Sequence, residues 1–227
     1  DQKRYTEMMD YYGMWAHQIK TPIAAMRILV QSGMDREENE ENQKLFRQLQ
    51  MELFKTEQYV EMVLSYLKIG DIAKDMVLER CDLGKVVRQA VKKYSRLFIL
   101  QKLSLEMGEI AEIVLTDEKW LSFVVEQILS NALKYTKSGS VSIYLEQEGV
   151  LVIKDTGIGI SAEDLPRIME KGYTGYNGRI DKRSTGIGLY LCKKVMDKLH
   201  HQLRIDSEDG KGTKVVLDLR RTQLDLE

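Results

Sequence analysis

The segment Trp15-Ala16-His17-Gln18-Ile19-Lys20-Thr21-Pro22 puts an imidazole, an amide and a hydroxyl on neighbouring turns of a strongly helical stretch. His17 and Thr21 are four residues apart, a spacing that places both on one helix face. Pro22 has no N–H for the carbonyl of Gln18, and its ring crowds that carbonyl, so a bend is predicted beside His17. A neutral imidazole, with an ordinary pKa of about 6.5, keeps a free nitrogen lone pair near pH 7 and can accept a phosphoryl group. A lone helical histidine is more often solvated or structural, so the phosphoryl reading depends on the rest of the chain.

The second half of the chain carries the parts of a nucleotide site in order. Asp155-Thr156-Gly157-Ile158-Gly159 stands at the end of a predicted strand, and Thr185-Gly186-Ile187-Gly188-Leu189 opens a predicted helix. Backbone N–H groups at a helix start have no intrahelical acceptor and form a ready anion site. Asn131-Ala132-Leu133-Lys134-Tyr135 supplies a side-chain amide oxygen, a hard ligand suited to share Mg²⁺ with phosphates. Taken singly, Asn131 reads as a buried hydrogen-bonder, Lys134 as a solvated charge and Tyr135 as core. Together with two glycine motifs in sequence they read as a phosphate and cation site. Glu170 to Ser184, with Gly172, Gly175 and Gly178 and no apolar period, is predicted to be a lid. Neither the G-x-x-x-x-G-K-[ST] loop nor the G-x-G-x-x-G fingerprint occurs.

Long elements must position these groups. Met8, Tyr12, Trp15, Ile19, Ile23, Met26 and Val30 form one stripe of a helix over about 5–31, and Leu45, Leu49, Leu53, Thr56, Val60, Val63 and Leu67 form that of a second over about 41–69. A short connection makes them an antiparallel hairpin that leaves half its apolar surface wet. Dimerisation into a four-helix bundle would cover that surface. Packing of the hairpin on the second domain is the other solution.

Residues 71–81 read as a linker. Asp82 is predicted to cap a helix to about Leu97, and Asp117 to cap another carrying Trp120, Leu121, Val124, Ile128 and Leu129. Strands are predicted at 103–107, 113–115, 141–146, 150–155, 203–207 and 213–219, and a further helix at 186–199. The fold class is therefore α+β: a helical hairpin over 1–70, then a two-layer α/β sandwich over 82–227.

The 227 residues are 43% hydrophobic and 30% charged, with a net charge of -1, a globular composition with no global attraction to nucleic acid. Cys81 and Cys192 are the 2 cysteines and lack the spacing of a zinc site or disulfide framework, which fits a reducing compartment. His200 and His201 diverge too far on a helix end to be joint ligands and read as surface residues. No run is long and apolar enough to be a membrane span. The chain opens at Asp1 with helical periodicity already running and is expected to be a piece of something longer.

His17-x-x-Lys20-Thr21-Pro22, Asn131 to Thr136, Asp155 to Gly159, Thr185 to Leu189 and Gly210-Lys211-Gly212-Thr213 resemble, in order, the H, N, G1, G2 and last glycine boxes of sensor histidine kinases. The resemblance covers nearly the whole chain. It implies a dimerisation and phosphoacceptor hairpin followed by a Bergerat-type ATPase domain using ATP and Mg²⁺. It makes His17 the phosphoacceptor, Asn131 the metal ligand and Asp155 the carboxylate that accepts from the adenine amino group. Gly157 and Gly159 then allow close approach to the base, and Gly186 and Gly188 let the lid and helix end meet the phosphates. Lys134, Tyr135 and Thr213 join the nucleotide set, and Thr21 resembles the hydroxyl that orients water in dephosphorylating a response-regulator partner.

Three departures stand out. Gln18 replaces the usual acid after the histidine. Its amide oxygen can hold the imidazole tautomer but cannot take a proton. Gln127 stands where related ATPases carry a water-activating Glu. Lys171 to Arg179 replaces the aromatic and Arg-bearing box, leaving Lys134, Arg179 and Arg183 as alternatives for the γ-phosphate partner. His17-Gln18-Ile19-Lys20-Thr21-Pro22, the Glu126 to Ala132 run and Lys171-Gly172-Tyr173-Thr174-Gly175 are similar to the intramembrane-sensing kinases of Gram-positive bacteria that work beside peptide-antibiotic exporters. That likeness implies a cell-membrane protein of which this is the cytoplasmic portion, with an ABC transporter as a further partner. Two other readings remain: a nucleotide-sensing dimeric scaffold without phosphotransfer, and a gyrase-like or chaperone-like ATPase clamp.

Overall fold

The computed structural model describes the backbone over residues 2–68, 76–175 and 186–221, with side chains from residue 18 onward within those spans. The chain divides into two compact units, Asp1–Gly70 and Asp71–Glu227.

The first unit is a pair of helices, α1 (Gln2–Arg36) and α2 (Glu40–Lys68). α1 continues through Pro22 as one helix. Asn39 caps α2, its side-chain oxygen accepting from the N–H groups of Glu41 at 2.8 Å and Asn42 at 3.3 Å. The antiparallel sense is evident from three polar pairs: Lys20 with Glu61, Arg27 with Glu57, and Gln31 with Gln50. Ile23, Val60 and Met62 are buried, and the Phe46 ring lies where a side chain on Gly33 would be, 2.7 Å from that Cβ position. Leu45 and Leu49 of the predicted stripe are 54% and 42% exposed, so the hairpin leaves part of its apolar surface uncovered.

The second unit runs β1 (Glu79–Asp82), α3 (Leu83–Gln101), β2 (Ser104–Met107), β3 (Ile113–Thr116), α4 (Glu118–Tyr135), β4 (Ser140–Gln147), β5 (Val150–Asp155), α5 (Gly188–Lys198), β6 (Gln202–Glu208) and β7 (Gly212–Asp218). β1 and β3 form an antiparallel pair, and the other strands form a five-stranded sheet in the order β2-β4-β5-β7-β6. β2 runs parallel to β4, and the remaining neighbours are antiparallel. Both predicted caps are present: Asp82 accepts from the Lys85 N–H at 2.8 Å and Asp117 from the Trp120 N–H at 3.0 Å. The second oxygen of Asp117 accepts from the Val77 N–H at 2.9 Å, fastening the segment just before β1 to the start of α4.

Val141, Ile143, Leu151, Ile153 and Leu217 alternate along the strands and are buried together with Leu121, Val124, Val125, Ile128 and Leu129 of α4. β5 departs from one-sided burial. Val150 and Val152 are buried as well, clustering with Val216 under Tyr144, because β5 is the central strand. An ion pair between Lys214 of β7 and Glu146 of β4 also reaches across it at 2.7 Å.

Three expectations are corrected. Residues 79–81, read as the end of a linker, form β1 with Asp82, and Cys81 is buried against Thr116, to whose carbonyl its thiol donates. Four residues are too few to show a period. The last helix begins at Gly188 and not at Gly186, whose φ of 64° lies outside helical space. His201 is no surface residue: it is 3% exposed, and its Nε2 lies 3.0 Å from the Thr116 hydroxyl. His200, at φ 57°, turns the chain so that the next side chain re-enters the core.

Candidate nucleotide site

Asp155 ends β5 and is 7% exposed. Its Oδ1 accepts the backbone N–H of Gly157 at 2.8 Å and that of Thr213 at 3.2 Å. Burial pushes its pKa above the ordinary carboxylate value, and those two N–H groups pull the other way. The Thr136 hydroxyl also favours the charge from nearby, although it falls short of a geometric hydrogen bond. Among the described residues no geometric hydrogen bond reaches Oδ2, which leaves that oxygen to accept from a ligand.

The 156–160 loop is clasped from two sides. The Ile158 N–H donates to the carbonyl of Tyr135 at the end of α4, and the Ile158 carbonyl accepts from the Gly210 N–H in the β6–β7 turn. Gly159 has φ 69°, and a Cβ there would stand 2.0 Å from the Glu208 carbonyl oxygen, so only glycine lets loop and turn meet. Ser207 locks the junction. Its hydroxyl accepts from the Ile160 N–H at 2.9 Å, donates to the Gly212 carbonyl and lies 2.9 Å from the Thr213 hydroxyl.

α4 joins this loop to the second glycine segment. Gln127, Asn131 and Tyr135 recur every four residues and share one helix face. At one end of that face the Tyr135 carbonyl receives Ile158, and a Cβ on Gly157 would lie 2.5 Å from it. At the other end the Gln127 Oε1 stands 2.9 Å from the Cβ position of Gly188, where α5 begins. The half-buried Asn131 is thus placed between the two glycine motifs. The Ile187 side chain makes no cap hydrogen bond at the start of α5. Lys134 lies on the rim with its Nζ 5.2 Å from the centre of the Tyr135 ring.

Of the predicted site residues, Asn131, Lys134, Tyr135, Asp155, Gly157, Gly159, Gly186, Gly188 and Thr213 fall in this one unit. Gln18 and Thr21 are exposed on α1 of the other. The His17 side chain lies outside the described residues, as do Thr185, Arg179 and Arg183. Sequence reasoning missed Ser207, an ordinary strand residue whose spacing to Ile160 signals nothing. It also treated Gln127 only as a missing acid, whereas the side chain packs on Gly188.

Residues 116–223 match the family described as Histidine kinase-, DNA gyrase B-, and HSP90-like ATPase. The chain is 34% identical over 211 residues to the sensor histidine kinase YxdK of Bacillus subtilis (strain 168), covering 90% of this chain and 62% of YxdK. Its homologues are sensor histidine kinases. The sensor protein kinase GraS of Staphylococcus aureus (strain MRSA252) is 35% identical over 207 residues, covering 89% of this chain and 58% of GraS. The chain therefore spans about three fifths of the length of these sensor kinases. The crystal structure of full-length ShkA in complex with AMPPNP shares the fold at 19% identity, with a TM-score of 0.64 over 92% of this chain and 45% of that one. Among the described residues no helix is long and apolar enough to cross a membrane.

Proposed function

We propose that the chain is the dimerisation and catalytic part of a protein-histidine kinase that phosphorylates His17 from ATP and passes the phosphoryl group to an aspartate of a response regulator. The observation that carries the reading is the α4 face on which Asn131 stands between the Asp155 loop and the start of α5. In this reading Asp155 Oδ2 accepts from the adenine amino group, and the close backbone contacts at Gly157 and Gly159 hold the loop beside it in place. The first N–H groups of α5, next to Gly186 and Gly188, would face the phosphates. Asn131 offers the amide oxygen that would hold Mg²⁺, a fit for a hard cation that takes its remaining oxygens from phosphates and water. The metal would offset charge spread over the transferring phosphoryl group. Lys134, on the rim, is one basic candidate for the γ-phosphate, with Arg179 and Arg183 as the others. Tyr135 shapes the loop through its carbonyl, and Thr213 does so through its N–H to Asp155.

On the helical unit, the Gln18 amide oxygen would accept from the His17 Nδ1–H and leave Nε2 as nucleophile. With no carboxylate to take the second proton, transfer is expected to be slow. Thr21, one turn away, would orient water for dephosphorylation of the regulator. Exposed Leu45 and Leu49 support a homodimer through a four-helix bundle, covering surface that one hairpin leaves wet. Residues 1–70 would form this phosphoacceptor domain and the unit from Asp71 onward the ATP-binding one. The similarity to the sensor kinases YxdK and GraS supports the kinase reading. A membrane anchor, a role in the peptide-antibiotic response and a peptide-exporting ABC transporter as a further partner would follow from the resemblance of the segments 17–22, 126–132 and 171–175.

Gln18 favours one other reading, a nucleotide-sensing dimeric scaffold that transfers nothing. The two are separated by incubation with γ-labelled ATP and Mg²⁺, scoring acid-labile, base-stable label on wild type, His17→Ala and Gln18→Glu. Label abolished by His17→Ala and increased by Gln18→Glu is the expected result. ATP binding without label in any variant, with a response regulator present, would establish the scaffold.

A further inference from the structure

Between Ser161 and Tyr173 the backbone advances in a succession of three-residue turns: Asp164 N–H to Ser161, Arg167 to Asp164, Glu170 to Arg167, and Tyr173 to Glu170, at 2.8–3.2 Å. Turns closed by i to i+3 bonds bring every third side chain onto one side. Asp164, Arg167, Glu170 and Tyr173 are aligned in this way, and they touch. The Tyr173 hydroxyl donates to Asp164 Oδ1 at 2.5 Å. The Arg167 guanidinium lies 4.2 Å from the centre of the Tyr173 ring and donates two bonds of 3.2 Å to Glu170. The other Asp164 oxygen is 3.1 Å from the Cβ position of Gly175.

The far end of this ladder rests on the second glycine motif. The Gly172 N–H donates to the Gly186 carbonyl at 3.0 Å. A Cβ on Gly186 would come within 2.5 Å of the Gly172 carbonyl carbon and of the Tyr173 carbonyl oxygen. Gly186 precedes the first turn of α5 by a single residue, so the placement of that turn is fixed by backbone that Tyr173 itself carries.

We propose that the Tyr173 hydroxyl is a positioning group for the phosphate end of the nucleotide site, setting the start of α5 through its bond to Asp164 and the contact of residues 172–173 with Gly186. The assignment rests on the proposed nucleotide function and adds a division of labour: Asp155 and its loop hold the base, and the ladder holds the phosphate-facing helix start.

The test titrates the full chain with ATP and Mg²⁺ by calorimetry and with adenosine by chemical-shift change. Tyr173→Phe keeps the ring under Arg167 and removes only the donor. It should weaken ATP about tenfold, the scale of one hydrogen bond to a charged acceptor, while adenosine stays within about twofold. Hydrogen exchange at the Gly172 amide should accelerate in the same variant. Asp164→Asn, which keeps an acceptor for the hydroxyl, should lose less than Asp164→Ala, and Tyr173→Phe combined with Asp164→Ala should be no worse than Asp164→Ala alone. Equal weakening of ATP and adenosine, or no weakening of either, overturns the positioning role while leaving the nucleotide site intact. Failure of the wild-type chain to bind ATP overturns both. If Tyr173→Phe does not fold, the Asp164→Asn and Asp164→Ala pair carries the same comparison.

Discussion

Thr213 donates its backbone N–H to the Asp155 carboxylate across 58 residues of sequence, at 3.2 Å. The bond ties the end of β5 to the start of β7 and occupies the same oxygen that Gly157 uses. Among the described residues no hydrogen bond reaches the other oxygen. The carboxylate is held here against the cost of burial, which raises its pKa.

That conflict predicts opposite effects on stability and binding. A buried acid with a raised pKa costs stability in full above its folded value, and the cost shrinks as pH falls through that value and is gone below the unfolded one. Asp155→Asn removes the buried charge and keeps an oxygen for Gly157 and Thr213, so the melting temperature should hold or rise. The amide nitrogen cannot accept from an adenine amino group, so ATP affinity should fall about a hundredfold, roughly 2.7 kcal/mol. In the wild type, ATP affinity should decline on acidification at a pH above that of an ordinary aspartate. Calorimetric titration across pH checks both.

Two glycines with similar φ should respond differently to alanine. Gly210 has φ 74° and open space around its Cβ position, so Gly210→Ala should cost about 1 kcal/mol of backbone strain alone. Gly159→Ala would drive a methyl into the Glu208 carbonyl and separate the loop from the turn. It should cost about 3 kcal/mol or more and reduce nucleotide binding as well. Urea denaturation gives the comparison directly.

Neither cysteine should react in the folded protein. Cys192 is fully buried and its thiol is pushed up to about 12, while burial and nearby acids raise that of Cys81. Only the thiolate is nucleophilic. A chromogenic disulfide reagent should find almost no thiol under native conditions at pH 8 and both in denaturant.

The exposed leucines of α2 should mark the dimer interface. Leu45→Lys with Leu49→Lys removes apolar surface that the hairpin itself does not bury, so the variant should fold and become monomeric. Sedimentation equilibrium distinguishes this outcome from an unchanged dimer, which would place the interface elsewhere.

The helices, the two aspartate caps and most strands were legible in the sequence because each is a local pattern. Asp82 and Asp117 stand directly before amphipathic runs, and Gly149 stands between two alternating strands. The glycine motifs were legible for a related reason, since glycine recurring near a strand end or helix start marks close backbone approach. Tertiary structure decided everything that depends on pairing at a distance. β1 is a strand only because β3 lies beside it, and His201 is buried only because Thr116 meets its ring. Ser207 matters because a turn folds back onto the Asp155 loop. Tyr173 reads as one more loop aromatic until successive three-residue turns stack it over Asp164 and bring Gly186 beneath its backbone. A sequence records which groups are available and how nearby ones repeat. Contact between residues 58 or 85 positions apart is set by how whole elements pack to bury their apolar faces, and no local spacing encodes that.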